Sequence, residues 1–154
     1  MNDQPTAEDK RHSIVAVDDD ITILKSLQKR LSKWYDVTIF QSPTELLLSL
    51  DTIRPNLFII DWMMEDVDGI QLCREIRKRQ RFALVPISLY TAIDPTLENI
   101  QTAYDAGAQA FISKVQKRAF LVTQVRALID SYERMALYLR QRSMVLSALR
   151  HELL

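Results

Sequence analysis

The chain has 154 residues, 47% of them apolar, with 20 basic and 20 acidic side chains that cancel. That length and composition suit one globular domain with a full core, and the neutral balance gives no reason to expect nucleic acid or a membrane surface as a bulk partner. A single cysteine, Cys73, excludes an internal disulfide and fits a reducing compartment. No apolar run approaches the ~18 residues of a membrane span. The polar start, Met1 to Arg11, lacks the apolar centre of a signal peptide. These features lead us to expect a cytoplasmic protein with a disordered tail over residues 1–12.

The first apolar run, Ser13 to Val17, is short, β-branched and not alternating, as in a strand buried on both faces. Leu24, Leu27, Leu31 and Trp34 then recur at helical spacing. A strand over Asp36 to Phe40 follows. Ser42-Pro43-Thr44-Glu45 supplies an N-cap, a first-turn proline and a capping glutamate for a helix carrying Leu46, Leu47 and Leu50. Leu57 to Ile60 forms a third strand, ended by Asp61. A helix around Asp68 to Gln80 points Ile70, Cys73 and Ile76 inward. The fourth strand is Ile87 to Tyr90, after Pro86. Asp94-Pro95 predicts a cap for a helix with Leu97, Ile100 and Tyr104 on its apolar face, closed at Gly107. Ala110 to Ser113 is the fifth strand, and the chain is helical from about Lys117 to its end. Strands alternating with helices predict a doubly wound α/β fold, a parallel sheet with helices on both faces.

Ligands in such sheets bind beyond the carboxyl ends of the strands. Asp18, Asp19 and Asp20 follow the first strand, Asp61 the third, Thr91 the fourth and Lys114 the fifth. Crowded carboxylates call for a hard cation such as Mg²⁺, which prefers oxygen ligands. The absence of His and Cys from this set argues against zinc or copper. A carboxylate can act as nucleophile toward phosphorus, with a lysine and a metal neutralising the transferred oxygens. Each residue alone has a blander role: Asp20 reads as a helix cap, and a lone lysine as a solvated one. The conjunction after successive strands carries the signal.

The motifs Ile14-Val15-Ala16-Val17-Asp18-Asp19-Asp20, Phe58-Ile59-Ile60-Asp61, Asp68-Gly69, Tyr90-Thr91-Ala92, Gly107-Ala108 and Phe111-Ile112-Ser113-Lys114 resemble the receiver domain of two-component response regulators. The resemblance covers residues 13–131. It implies five parallel strands in the order 2-1-3-4-5 with five helices. It implies that Asp61 is the phospho-acceptor, loaded by a histidine kinase or a phosphotransfer protein. Asp18, Asp19, Asp61 and the backbone carbonyl of Met63 would hold Mg²⁺. Thr91 and Lys114 would contact the phosphoryl group, Phe111 would swing as Thr91 moves, and the surface of the fourth helix, fifth strand and fifth helix would switch. Gly69 matches a turn after the acceptor loop.

The chain departs from the family pattern at three places. Glu65 follows Met64 where the family has Met-Pro-x-x-Asp-Gly, and Val115 follows Lys114 where it has Lys-Pro with a cis bond. A cis bond before valine costs ~2.5–4 kcal/mol. Met63 and Ile93 stand at flanking positions that are often polar in fast-cycling members.

The last helix is expected to outrun the receiver, giving a C-terminal extension over residues 132–154. Leu121, Val125, Leu128, Tyr132, Met135, Leu139, Arg142, Leu146, Leu149 and Leu153 alternate by four and three residues, as in a coiled-coil seam, so a homodimer through this helix is expected. The bland alternative is a solvated helix face. The extension is too short for a helical DNA-binding module, so direct nucleic-acid binding is not expected. His151-Glu152-Leu153-Leu154 is similar to the start of the phospho-accepting box of sensor histidine kinases, although a lone histidine at a helix end is more often a surface residue. Three readings compete with a stand-alone switch. One is the receiver portion of a larger hybrid kinase or multidomain regulator. Another is a pseudo-receiver used only for binding. The third is a phosphatase with an Asp nucleophile, against which stands Met63 in place of the second aspartate of such enzymes.

Overall fold

In the computed structural model, residues 11–92 and 94–153 are described. The expected tail over residues 1–12 thus lies outside the described residues up to Lys10. The elements are β1 (Ser13–Val17), α1 (Ile21–Leu31), β2 (Asp36–Phe40), α2 (Pro43–Ser49), β3 (Leu57–Asp61), α3 (Gly69–Arg77), a 3₁₀ turn (Gln80–Phe82), β4 (Ile87–Thr91), α4 (Leu97–Ala106), β5 (Ala110–Ser113) and α5 (Arg118–Leu153). All strand pairs are parallel, in the order β2-β1-β3-β4-β5.

The unbroken apolar strands follow from burial on both faces. Val15, Val17, Phe58, Ile60 and Leu89 point toward α2, α3 and α4, where they meet Leu46, Leu72, Cys73, Ile76 and Ala103. Ile14, Ala16, Ile59 and Ile112 point the other way, toward Leu24, Leu27, Leu121, Val125 and Ile129 of α1 and α5. Successive side chains of one strand thus serve opposite cores.

Local chemistry sets the helix starts. Asp20 caps α1 by accepting from the Thr22 and Ile23 amides, Ser42 caps α2 through the Glu45 amide, and Asp68 caps α3 through the Gln71 amide. Gly107 ends α4 at φ 106°, a left-handed position that favours glycine.

Three details differ from the sequence expectation. Thr96, not Asp94, caps α4, and the helix buries Ala103 and Ala106 while Leu97 and Tyr104 are exposed. The two small residues let α4 lie close to its neighbours, so the bulkier side chains turn outward. Trp34 lies past the end of α1 at Leu31; the turn there buries Tyr35 and leaves Trp34 under the Lys33 and Arg118 cations. Finally, α3 ends at Arg77 and the chain re-coils as the 3₁₀ turn.

Arg77 ties that junction together. Its guanidinium donates to the carbonyls of Phe82 (2.5 Å), Val85 (2.7 Å) and Gly107 (2.9 and 3.0 Å) and to Gln109 Oε1 (2.8 Å). Burial lowers its pKa. A Cβ at Gly107 would sit 2.6 Å from Arg77 Cγ. Arg77→Ala would leave several part-buried carbonyls without donors, so we expect a loss of about 2–4 kcal/mol in urea unfolding. Arg77→Lys should recover only a minority of it, because an ammonium cannot reproduce the planar fork. A loss below about 0.5 kcal/mol for the alanine variant, the range of an ordinary surface change, would contradict this role.

Candidate functional site

The carboxyl ends of β1, β3, β4 and β5 converge on one acidic pocket. Asp18 follows β1 and is 1% exposed. Its Oδ1 accepts from the Asp20 amide at 2.9 Å, which fixes the carboxylate. Asp61 is the last residue of β3, and Thr91 the last of β4; both belong to their strands rather than following them. Asp61 is 4% exposed. Lys114 Nζ lies 2.9 Å from Asp18 Oδ2 and 2.9 Å from Asp61 Oδ1, bridging two strand ends. Asp18 Oδ2 is shielded from solvent and faces that ammonium as an ion pair.

Asp19 is exposed at the rim, and one carboxylate oxygen from each of Asp18, Asp19 and Asp61 falls within 4.8 Å of the others. Three carboxylates against one ammonium leave a formal surplus of two negative charges (3 − 1 = 2). The electrostatics show the crowding. Burial pushes the Asp61 carboxyl up to about 6, the Lys114 hydrogen bond opposes this, and the Asp18 charge adds to it. Lys114 is raised: burial pulls it down, but its hydrogen bonds and charge contacts with Asp61 and Asp18 outweigh that.

The backbone positions these groups. The Lys114 amide donates to the Thr91 carbonyl at 2.8 Å, so the lysine and the hydroxyl-bearing residue are anchored to each other. The described residues include no cis peptide, so the Lys114–Val115 bond is trans and the lysine still reaches both carboxylates. Gly69 does more than turn the chain. Its amide donates to the Trp62 carbonyl at 2.9 Å, and a Cβ there would lie 2.4 Å from the Asp61 carbonyl oxygen. Only glycine lets the start of α3 come this close to the end of β3.

Met63 lies two residues past Asp61 with its side chain 76% exposed, while Met64 is buried in the core. Glu65 is exposed. Ile93 lies outside the described residues. Phe111 stacks on Trp62 (centroids 5.7 Å apart, 25° between planes) and meets the edge of Tyr104 (5.7 Å, 62°). Sequence reasoning singled out Phe111 but not these partners. The sequence signal for Trp62 is an aromatic residue directly after Asp61, while the helical period places Tyr104 on the core face.

Residues 14–126 match the profile of the response regulator receiver domain. The response regulator MprA of Mycobacterium leprae (strain TN) is 33% identical over 117 residues, covering 75% of this chain and 50% of that protein. The chain thus spans about half the length of the curated relatives it matches. A CheY-like receiver domain protein from Methanospirillum hungatei JF-1 superposes with a TM-score of 0.74 at 27% identity, covering 82% of this chain and 99% of that one. The receiver domain of sensor histidine kinase PA1611 from Pseudomonas aeruginosa PAO1, which has a magnesium ion coordinated in its active-site cleft, shares the fold at a TM-score of 0.70 and 24% identity, covering 79% and 99%. With five parallel strands ordered 2-1-3-4-5 and an acidic pocket at their carboxyl ends, this chain belongs to the response regulator receiver family of two-component systems.

Proposed function

We propose that the chain is a phosphorylation switch that accepts a phosphoryl group on Asp61 from a histidine kinase or a phosphotransfer protein. The observation that carries this reading is the Lys114 bridge between Asp18 and Asp61 in a pocket two negative charges in surplus. A hard divalent cation fits that donor set, and Mg²⁺ would be held by Asp18, Asp19, Asp61 and the Met63 carbonyl. When bound, it supplies charge neutralisation for the phosphoryl oxygens.

In the transfer, a carboxylate oxygen of Asp61 forms a bond to phosphorus as the phosphorus–nitrogen bond of the donor phosphohistidine breaks, and the imidazole leaves with that electron pair. Lys114, held at 2.9 Å from the acceptor, pairs with the growing negative charge. The Thr91 hydroxyl donates to the phosphoryl group. Since the Lys114 amide is hydrogen-bonded to the Thr91 carbonyl, and Phe111 lies in β5 three residues before Lys114, the shift of Thr91 is read out at Phe111 and the α4–β5–α5 surface. The Trp62–Phe111–Tyr104 stack supports this route, because it joins the residue after Asp61 to α4. Apart from its own phosphorylation and dephosphorylation, the chain turns over no substrate.

With acetyl phosphate and Mg²⁺, intact mass should show a gain of one phosphoryl group. Chelation of the metal or Asp61→Asn should abolish it. Full labelling of Asp61→Asn would overturn the acceptor assignment.

The electrostatics give a second test. The folded pKa of Asp61, about 6, lies above the usual carboxylate value near 4. Stability from its neutral form is present below about pH 4 and lost as pH rises through about 6. In chelator, Asp61→Asn should therefore stabilise the protein at pH 8, by on the order of 2 kcal/mol, with a smaller gain at pH 5. Urea unfolding at both pH values reads this. A variant less stable than the native chain at pH 8 would contradict it.

A further inference from the structure

The helix α5 leaves the receiver body near Glu133. Ile129 is its last buried residue, Tyr132 packs against the core, and His12 at the foot of β1 contacts the Glu133 carboxylate. Every described residue from 137 to 153 is exposed. A lone helix in water is held by ion pairs one turn apart or by packing. From Arg134 to Arg150 the chain has no acidic residue, so the first support is missing.

Of the nine large apolar side chains exposed between Met135 and Leu153, Leu137 and Met144 lie on the far face and the other seven share one side. At 100° per residue, Met135, Tyr138, Leu139, Val145, Leu146, Leu149 and Leu153 fall within an arc of about 120°. That arc is centred about 110° away from the direction in which Leu121, Val122, Val125 and Ile129 enter the body. A second helix can therefore lie along the stripe without meeting the domain it belongs to.

We propose that this stripe binds a second copy of the chain as a parallel, two-fold symmetric helix pair. With the stripe turned away from each body, the symmetry places the two receiver bodies on opposite sides of the pair. From Met135 to Leu153, beyond the body, the seam keeps its four-three spacing without a slip, the repeat that a left-handed supercoil maintains. In a parallel pair each seam leucine meets its own copy, so the register matches by symmetry. Seven large side chains over ~27 Å of helix offer an apolar patch on the order of 700 Å². This exceeds what monomers usually expose and is close to the ~800 Å² per partner of a stable complex. Arg142 is the exception within the arc and would face Arg142 of the second copy, with its stem along the seam and its charge turned outward. The pair sets both phospho-acceptor pockets at the same end of the dimer.

Sedimentation equilibrium of the full chain, from micromolar to near millimolar concentration, should show a dimer. Leu139→Asp with Leu146→Asp should make it monomeric while the receiver fold persists by circular dichroism. Arg142→Leu should tighten the pair about tenfold or more by removing like charges. Leu149→Cys should form an intermolecular disulfide in oxidised glutathione, since only a parallel pair brings the two positions together. A native chain and an Arg142→Leu variant that both remain monomeric would overturn the proposal, including the case in which the monomer binds an acidic amphipathic peptide instead. A dimer that fails to cross-link through Leu149→Cys would overturn the parallel arrangement.

Discussion

The structure turns on one ammonium group placed between two buried carboxylates. Asp18 directly follows β1 and Asp61 ends its neighbour β3, so sheet pairing forces them together whatever their charges prefer. Lys114, delivered from the far side by β5, relieves part of that repulsion at 2.9 Å from each. The remainder is visible as the raised carboxyl of Asp61. A site left with surplus negative charge suits a hard cation. Perturbed carboxylates of this kind are common at functional sites.

Rigid surroundings make that strain tolerable. Gly69 lets α3 start against the backbone of Asp61, and the Asp20 amide holds Asp18 from the other side. The Lys114 amide is tied to β4. At the opposite end of α3, Arg77 fastens the α4–β5 junction through carbonyl oxygens. The acidic site and the α4–β5 face therefore share α3 as a common frame. Between them lies the aromatic stack of Trp62, Phe111 and Tyr104, which gives a local change at Asp61 a contiguous path to the surface.

Much of this was legible in the residues. The non-alternating runs of β1 and β3 announced strands covered on both faces, and the caps Asp20, Ser42 and Gly107 marked their helices where the structure has them. Asp18, Asp19, Asp61 and Lys114 were recognisable because strand ends of a parallel sheet share one edge. What could not be read from one-dimensional spacing was orientation set by packing. Leu97 and Tyr104 fit a core-facing period, but α4 seats its alanines inward. Trp34 fits the period of α1, but the helix has already ended. The role of Gly69 depends on a close approach to the Asp61 backbone that no local pattern encodes.

If Asp61 is the nucleophile, the phosphoryl group must sit on its carboxylate, and the most direct measurement locates it within the chain. An acyl phosphate is cleaved by borohydride, which reduces the aspartyl carbonyl to the alcohol of homoserine and releases phosphate. After acetyl phosphate and Mg²⁺ treatment, borohydride reduction and peptide mass spectrometry should find homoserine at position 61, with Asp18 and Asp19 intact. Homoserine at position 18 or 19, or a phosphoryl group that resists borohydride and maps to a histidine such as His151, would contradict the account.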